Sequence, residues 1–182
     1  DVLDISTVET GEMAMSLIAV NVLEVIQDVY LQAMKLAKKY GVEIIFAIEE
    51  SRAPVFVRVD KERFQQVLLI LMTNAIKFNR KPGVVTLFLQ DTETGKIGLA
   101  VKDQGSGIAK QNLETIFKPF ERLDAYNKGI DGLGIGLAIA KQLTENMGGT
   151  IGVESEEKVG SVFYVVFPIC QAEDKHEFID FE

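Results

Sequence analysis

Few of the features that mark disulfide-stabilised, zinc-binding or membrane-spanning proteins occur in this sequence. A single cysteine, Cys170, among 182 residues excludes an internal disulfide and a cysteine-based zinc site. No uncharged apolar run approaches the roughly 18 residues that a membrane helix requires. The opening residues DVLDISTVETGE lack the basic and apolar regions of a secretory signal. We therefore expect a soluble chain, and its free thiol suits a reducing cytoplasm.

Basic residues and histidine are also scarce. The 19 lysines and arginines are outnumbered by 27 acidic residues, which gives a net charge of −8. Because nucleic-acid phosphates are bound mainly through lysine and arginine, we expect no nucleic-acid partner. A nucleotide remains compatible with this charge if a metal ion or a local basic cluster meets its phosphates. The one histidine, His176, lies in the acidic tail QAEDKHEFIDFE, where we expect a solvated residue.

The hydrophobic pattern predicts one α+β domain, a two-layer sandwich with three main helices and six or seven strands. One helix is predicted to begin at Asn21 and end at Gly41, a second to follow Asp60, and a third to end at Gly148. A further short helix is predicted near Asn112–Ile116. The predicted strands are Ser16–Val20, Val42–Ile48, Val55–Val59, Val84–Leu89, Ile97–Val101, Thr150–Val153 and Val162–Phe167.

The helix after Asp60 carries two separate faces. Its apolar stripe consists of Phe64, Val67, Leu68, Leu71, Met72, Ala75 and Ile76. On another face, Asn74, Lys77 and Phe78 stand at i, i+3 and i+4. An asparagine carbonyl oxygen can bind Mg²⁺, which takes few protein ligands, and a lysine one turn on can meet phosphate oxygens. The pair is a candidate metal and phosphate site, and the alternative is a solvated helix end that binds no ligand.

The stretch VKDQGSGIA places Asp103 directly after a predicted strand and brackets a sharp turn with Gly105 and Gly107. The carboxylate could accept a hydrogen bond from an amino group, and the glycines would let a flat ring approach the backbone. Taken alone, this pattern also fits an ordinary turn.

Three glycines at alternate positions, Gly132, Gly134 and Gly136, open the helix in DGLGIGLAIAKQL. Glycines at a helix start favour the close approach of an anion to the backbone. A dinucleotide-binding fingerprint does not fit, because the preceding DAYNKGID is polar rather than a strand. The Walker sequence GxxxxGK[ST] is absent. These glycines therefore require another kind of anion site.

A loop of roughly 15 residues precedes this helix, from Asp124 to Gly136, and a loop of that length without structure of its own is typical of a lid. In the adjoining IFKPFERLD, Phe117 and Phe120 are predicted to anchor the base of the lid. Its positive charge comes from Lys118, Arg122 and Lys128. A disordered surface loop is the alternative.

Together and in this order, the motifs resemble the ATP-binding domain of sensor histidine kinases. RFQQVLLILMTNAIKFN resembles the N box, VKDQGSGIA the first glycine box, IFKPFERLD the F box and GLGIGLAIAKQL the second glycine box. MGGTIGVESEEKVGSVFYVVFP is similar to the closing hairpin. The resemblance implies the Bergerat fold shared with DNA gyrase B and the mismatch-repair ATPases, a mixed sheet with helices on one face. It implies such a domain over residues 16–169, the end of a dimerisation helix or linker in 1–15, and an acidic tail or linker in 170–182.

The resemblance also implies the site residues, position by position. Asn74 would ligate Mg²⁺, and Lys77 and Arg122 would contact the phosphates of ATP. Asp103 would accept a hydrogen bond from the adenine amino group. The glycines would let the lid and the helix start approach the triphosphate. The remaining ATP-binding positions are Phe78, Gly105, Gly107, Ile108, Gly132, Leu133, Gly134, Ile135, Gly136, Leu137 and Ser161.

Two departures from the family pattern lie in this site. Ile70 stands one turn before Asn74, where histidine kinases usually have another asparagine and the related ATPases a glutamate that activates water. Because isoleucine cannot act as a general base, we expect no intrinsic ATP hydrolysis. Leu133 replaces a small hydroxyl residue between the first two glycines, which removes one phosphate contact. Two alternatives stay open: a stand-alone ATPase of the gyrase class, and a degenerate interaction domain that no longer binds nucleotide.

The resemblance implies a protein-histidine kinase in which the γ-phosphoryl group passes to a histidine on a dimerisation domain. This chain contains no such histidine, since His176 lies downstream and in no comparable context. We therefore expect the chain to bind Mg–ATP without autophosphorylating, and to be a monomer although the parent protein is a homodimer. The implied partners are the parent's own dimerisation domain and a downstream response-regulator receiver domain, in the cytoplasm.

Overall fold

The computed structural model describes residues 15–49, 52–92, 94–120 and 134–172. Within these ranges the chain forms seven strands, three α-helices and one 3₁₀ helix. In chain order the elements are β1 (Ile18–Asn21), α1 (Val22–Tyr40), β2 (Val42–Ala47), β3 (Phe56–Val59), α2 (Lys61–Lys77), β4 (Gly83–Asp91), β5 (Lys96–Lys102), the 3₁₀ helix (Lys110–Asn112), α3 (Gly136–Asn146), β6 (Thr150–Glu156) and β7 (Gly160–Cys170).

All strands belong to one mixed sheet. The order is β1-β3-β7-β5-β4-β2, and β6 also pairs with β7. The β2–β4 pair is parallel and the other pairs are antiparallel. Strand β7 joins three neighbours: β5 on one side, and β6 followed by β3 on the other. Of the described residues of β7, the last two pair with β3: Ile169 with Val57 and Cys170 with Phe56.

The helix boundaries follow from capping residues. Asn21 Oδ1 accepts a hydrogen bond from Leu23 N at the start of α1, and Gly41 ends the helix in the left-handed conformation at φ 66°. Asp60 caps α2 by accepting from Arg63 N through Oδ1. Its other oxygen accepts from Ser16 N, so this one carboxylate also ties the chain before β1 to the start of α2.

The helices pack on one face of the sheet, with α2 between α1 and α3. All seven residues of the predicted apolar stripe of α2 are buried. Opposite them, β5 directs Ile97, Leu99 and Val101 into the same core, because alternate residues of a strand share a face. The predicted architecture, a mixed sheet with helices on one face, is therefore confirmed. Among the described residues, no helix is long and apolar enough to cross a membrane.

One predicted element is wrong. Instead of a short helix near Asn112–Ile116, the chain forms the 3₁₀ helix at Lys110–Asn112 and then a series of turns. The Thr115 hydroxyl donates to the Asn112 carbonyl oxygen, and backbone bonds of the i to i−3 type recur through this stretch. A threonine hydroxyl that bonds a nearby backbone carbonyl in this way competes with helical hydrogen bonding, which favours turns over a regular helix. The end of a dimerisation helix or linker that the resemblance implies for residues 1–15 lies outside the described residues, apart from Met15.

Candidate functional site

Asp103 lies directly after β5 and points to the same face as the apolar residues of that strand, so its side chain enters the layer between sheet and helices. It is only 5% exposed. Its Oδ1 accepts hydrogen bonds from Gly105 N at 2.8 Å and Ser161 N at 3.3 Å. Among the hydrogen bonds of the described residues, none engages Oδ2. The structure thus holds a buried carboxylate by one oxygen and leaves the other available to a donor.

Burial raises the pKa of Asp103, and the two backbone N–H groups that meet Oδ1 only partly oppose this rise. A buried carboxylate is costly unless hydrogen bonds satisfy it. A ligand that donates to Oδ2 would therefore be bound at a position where its hydrogen bond is little screened by water.

The turn after Asp103 depends on two glycines that lie against other backbone segments. A Cβ on Gly105 would be 2.2 Å from the Phe78 carbonyl oxygen. Gly107 has a φ of +66°, and a Cβ there would be 1.9 Å from the Glu156 carbonyl oxygen. Both positions therefore require glycine for steric reasons. The turn is wedged between the end of α2 and the turn that joins β6 to β7.

Ser155 fixes the far side of the same turn. Its hydroxyl oxygen accepts from Ile108 N at 2.8 Å and donates to the Gly160 carbonyl oxygen at 2.9 Å. It also lies 2.8 Å from the Ser161 hydroxyl. Ser161 was predicted near Asp103; it is there, but it meets the carboxylate through its backbone N–H, and its hydroxyl pairs with Ser155 instead.

The C-terminal end of α2 forms the next wall of the candidate site. Asn74 and Lys77 lie in its last turn, and Phe78 follows the helix as its cap, with Phe78 N donating to the Asn74 carbonyl oxygen. Within the described residues, no hydrogen bond engages the side-chain amide of Asn74. The close packing of Gly105 against the Phe78 carbonyl joins this helix end to the Asp103 turn. These two groups of predicted residues are thus brought together.

The start of α3 forms the opposite wall. Gly134 has a φ of +72°, Ile135 is buried, and α3 begins at Gly136, with Leu137 packed against the core. A Cβ on Gly136 would lie 3.4 Å from Ile70 Cγ2. The helix start therefore rests on α2 one turn before Asn74.

The remaining predicted residues lie outside the described ones: Arg122, Gly132 and Leu133, together with Lys128. All belong to the segment 121–133, which includes residues 124–133 of the predicted lid. The two ends of this segment are joined, because Phe120 N donates to the Gly134 carbonyl oxygen at 2.9 Å. Of the two predicted anchors, Phe117 packs edge-to-face on Phe163. Phe120 contacts the base of the lid through its backbone, whereas its side chain is exposed.

Two site residues escaped the sequence analysis. Asn79 Oδ1 accepts from Arg80 N and Gln104 N, while its Nδ2 donates to the Val84 carbonyl oxygen. Asn79 therefore connects the end of α2, the start of β4 and the residue after Asp103. The second is Ser155, which holds the Asp103 turn. For Ser155, the available signal was a pair of serines, Ser155 and Ser161, on either side of the turn of the closing hairpin. Asn79 is the last residue of the quoted N-box segment, but no role was assigned to it.

The donor set fits an Mg²⁺ ion that is bound mainly by phosphate and water. Among the described residues, no three histidine, cysteine, aspartate or glutamate side chains come together as a metal cluster. Mg²⁺ usually keeps several waters and takes one or two protein ligands beside substrate phosphates. The Asn74 amide oxygen, without a competing hydrogen bond, suits that part.

A family profile described as "Histidine kinase-, DNA gyrase B-, and HSP90-like ATPase" matches residues 59–171, more than half of the chain. The chain belongs to this family. The matched residues include every wall of the candidate site, from α2 to the closing hairpin.

Several members of this ATPase family are similar to the chain. The sensor protein GacS of Pseudomonas syringae pv. syringae is 31% identical over 182 residues, which is 97% of this chain and 20% of GacS. The structure of full-length ShkA in complex with AMPPNP has a TM-score of 0.81 at 29% identity and covers 95% of this chain and 35% of ShkA. The catalytic domain of the histidine kinase ThkA has a TM-score of 0.72 at 28% identity, over 85% of this chain and 96% of that domain. The chain spans about a fifth of the length of GacS.

Proposed function

We propose that this chain binds Mg–ATP and serves as the catalytic domain of a two-component sensor histidine kinase. The observation that carries the proposal is the buried Asp103 carboxylate, which is held through one oxygen and has its other oxygen available beside a glycine turn. An adenine amino group is a donor of the required kind, and the glycines let a flat ring come close. The ShkA structure, which contains the ATP analogue AMPPNP, supports this choice of ligand.

In the proposed complex, Asp103 fixes the orientation of the base, and Gly107 and Ile108 line its pocket. The phosphates extend toward the last turn of α2 and the start of α3. Lys77 would meet them there, and Asn74 would supply an oxygen ligand to Mg²⁺. When bound, the ion neutralises charge on the phosphates during transfer. The domain's contribution to phosphoryl transfer is then positioning and charge neutralisation rather than covalent chemistry.

The partners and boundaries follow the same proposal. The γ-phosphoryl group would pass to a histidine on a dimerisation domain of the parent protein, a homodimer, and then to a receiver domain. The parent would act in the cytoplasm, and this chain alone would be a monomer. Residues 16–169 would form the ATP-binding domain, with 1–15 and 170–182 as linkers and Arg122, Gly132 and Leu133 acting in the lid. The ThkA structure with the response regulator TrrA supports the receiver as a partner class.

Ile70 and Asp103 each argue against one of the two alternatives to a kinase domain. Its side chain packs beside Gly136, where a general base would have to face the phosphates, so the stand-alone ATPase is disfavoured. The degenerate domain is disfavoured by Asp103, because a protein without a ligand gains nothing from a buried carboxylate with an open oxygen.

Calorimetric titration of ADP and ATP, with and without Mg²⁺, tests the proposal. We expect binding that Mg²⁺ strengthens, and we expect Asn74→Ala to remove the Mg²⁺-dependent gain while leaving metal-free ADP binding unchanged. Asn112→Ala is the matched control, because it removes the same side-chain amide from the 3₁₀ helix instead of the last turn of α2. A folded wild-type chain that binds neither nucleotide would overturn the proposal and favour the degenerate interaction domain.

A further inference from the structure

A cavity of about 690 Å³ lies at the C-terminal ends of α1 and α2. The last two residues of α1, Lys39 and Tyr40, line one side, and the end of α2 with the residues that follow it lines another. Lys158 and the turn after Asp103, residues 104–106, complete the described lining. No residue of α3 is among its described lining, whereas the candidate ATP site is walled by α3. The cavity is therefore on the α1 side of the α2 terminus, although it shares Lys77, Phe78 and Gly105 with that site.

The described lining is strongly cationic in a chain of net charge −8. It contains five basic residues and no acidic one. The basic residues are Lys39, Lys77, Arg80, Lys81 and Lys158. Two helix C-termini face this region, but each carries only about half a negative charge, so they offset roughly one of the five positive charges. The described lining therefore keeps a positive excess.

Neutral groups hold several of these cations in place. The ammonium groups of Lys39 and Lys81 lie 5.9 and 4.7 Å from the centroid of the Tyr40 ring. The Arg80 guanidinium donates to the Gln104 side-chain oxygen at 3.0 Å. Within the described part of the chain, none of these three cations forms an ion pair with a carboxylate. Their charges converge on the cavity without local neutralisation, which favours an anion there.

The volume and the kind of cation limit what the anion can be. Small-molecule sites span about 300–1,000 Å³, and this cavity falls within that range. Lysine ammonium groups bind phosphate oxygens as point charges, and one carboxylate could not meet cations from four segments of the chain. We propose that this cavity is a second anion site, which binds a small polyvalent phosphate, either inorganic polyphosphate or the phosphate chain of a nucleotide.

Asp103 itself is not among the described lining of the cavity, so the two sites can be tested separately. Titration of inorganic tripolyphosphate into the chain in metal-free buffer is the first measurement. We expect binding that the double variant Lys39→Ala/Lys81→Ala weakens by about tenfold, the upper range for two exposed charges. The matched control is Lys35→Ala/Lys38→Ala, which removes the same amount of charge from two residues of α1 outside the described cavity lining, and we expect at most a twofold effect there.

Two further arms identify the source of the phosphate. In Asp103→Asn, tripolyphosphate binding should stay at the wild-type level. Residual ADP binding by this variant that falls on adding Lys39→Ala/Lys81→Ala indicates a nucleotide phosphate chain, and its absence indicates inorganic polyphosphate. Equal weakening by both lysine pairs, no effect of Lys39→Ala/Lys81→Ala, or no tripolyphosphate binding would each overturn the second site. A chain that binds tripolyphosphate through Lys39 and Lys81 but never binds ADP would refute the ATP proposal alone.

Discussion

Replacing Asp103 by asparagine is the sharpest test of how this domain selects its base. The Oδ1 position of the new amide can still accept from Gly105 N, so the turn keeps its hydrogen bond. The group at the Oδ2 position changes from an acceptor to an N–H donor. An adenine amino group would then face another donor in a buried pocket. The variant thus alters the predicted base contact with little change in shape.

The expected loss can be estimated from the site. A hydrogen bond to a charged group contributes about 1.5–3 kcal/mol, and at a buried carboxylate solvent does little to reduce it. ADP affinity should therefore fall roughly 10- to 150-fold, since about 1.4 kcal/mol corresponds to a factor of ten. Inosine diphosphate carries a carbonyl oxygen where adenine has its amino group. It should bind Asp103→Asn better than it binds the wild type, because the new N–H can donate to that oxygen.

Calorimetry with ADP and inosine diphosphate on the wild type and the variant measures both effects. Asp28→Asn serves as the control, since it removes the same charge from an exposed side chain that lies 3.9 Å from Lys61. Urea unfolding verifies that Asp103→Asn is folded. Unchanged ADP affinity in the folded variant would refute the assignment of Asp103 to the base. Loss of both nucleotides to the same extent would also contradict it, because the predicted exchange of preference would be missing.

Three further predictions concern the frame of the site. Gly107→Ala should destabilise the chain by several times the roughly 1 kcal/mol expected for Gly95→Ala, because both have positive φ but only the first would press a Cβ on the Glu156 carbonyl; equal urea midpoints would contradict this. Asn79→Ala should lower the free energy of unfolding by about 1–3 kcal/mol and weaken ADP binding, and an effect on neither would remove Asn79 from the site. The raised pKa of Asp103 means that the folded state binds its proton more tightly, so stability should fall as pH rises from the ordinary carboxyl pKa through the raised one. Asp103→Asn should remove that part of the pH dependence in urea titrations, and an unaltered profile would refute it.

Much of the fold could be predicted because it depends on local patterns. The apolar stripe of α2 repeats with helical spacing, and Asn21, Gly41 and Asp60 mark helix ends through bonds made within a few residues. The prediction of a short helix near Asn112 was wrong because the helical pattern there is weak and the Thr115 hydroxyl competes for a backbone carbonyl.

The site was predictable only where the chemistry of a side chain is unusual for its position. A carboxylate directly after an apolar strand is conspicuous, and so are glycines at a helix start. Ser155 lies near the end of a strand and Asn79 in a turn, and both are ordinary residues for those positions. Their importance comes from partners that are 47 and 25 residues away along the chain. Such pairs arise from the packing of the sheet on α2, which no local pattern encodes.

Strand β7 has a consequence for how the domain is made. It is the last strand in the described chain, and it supplies a neighbour to β5, β6 and β3 alike. During synthesis, β3 and its partner β1 therefore lack a further neighbour in the sheet until Cys170 has left the ribosome, and a two-stranded ribbon is only marginally stable. Ser161, which closes the Asp103 pocket, arrives with the same strand. Co-translational folding should thus produce the sheet and the pocket together, in one late step, and a nascent chain stalled before residue 160 should remain sensitive to protease and unable to retain nucleotide.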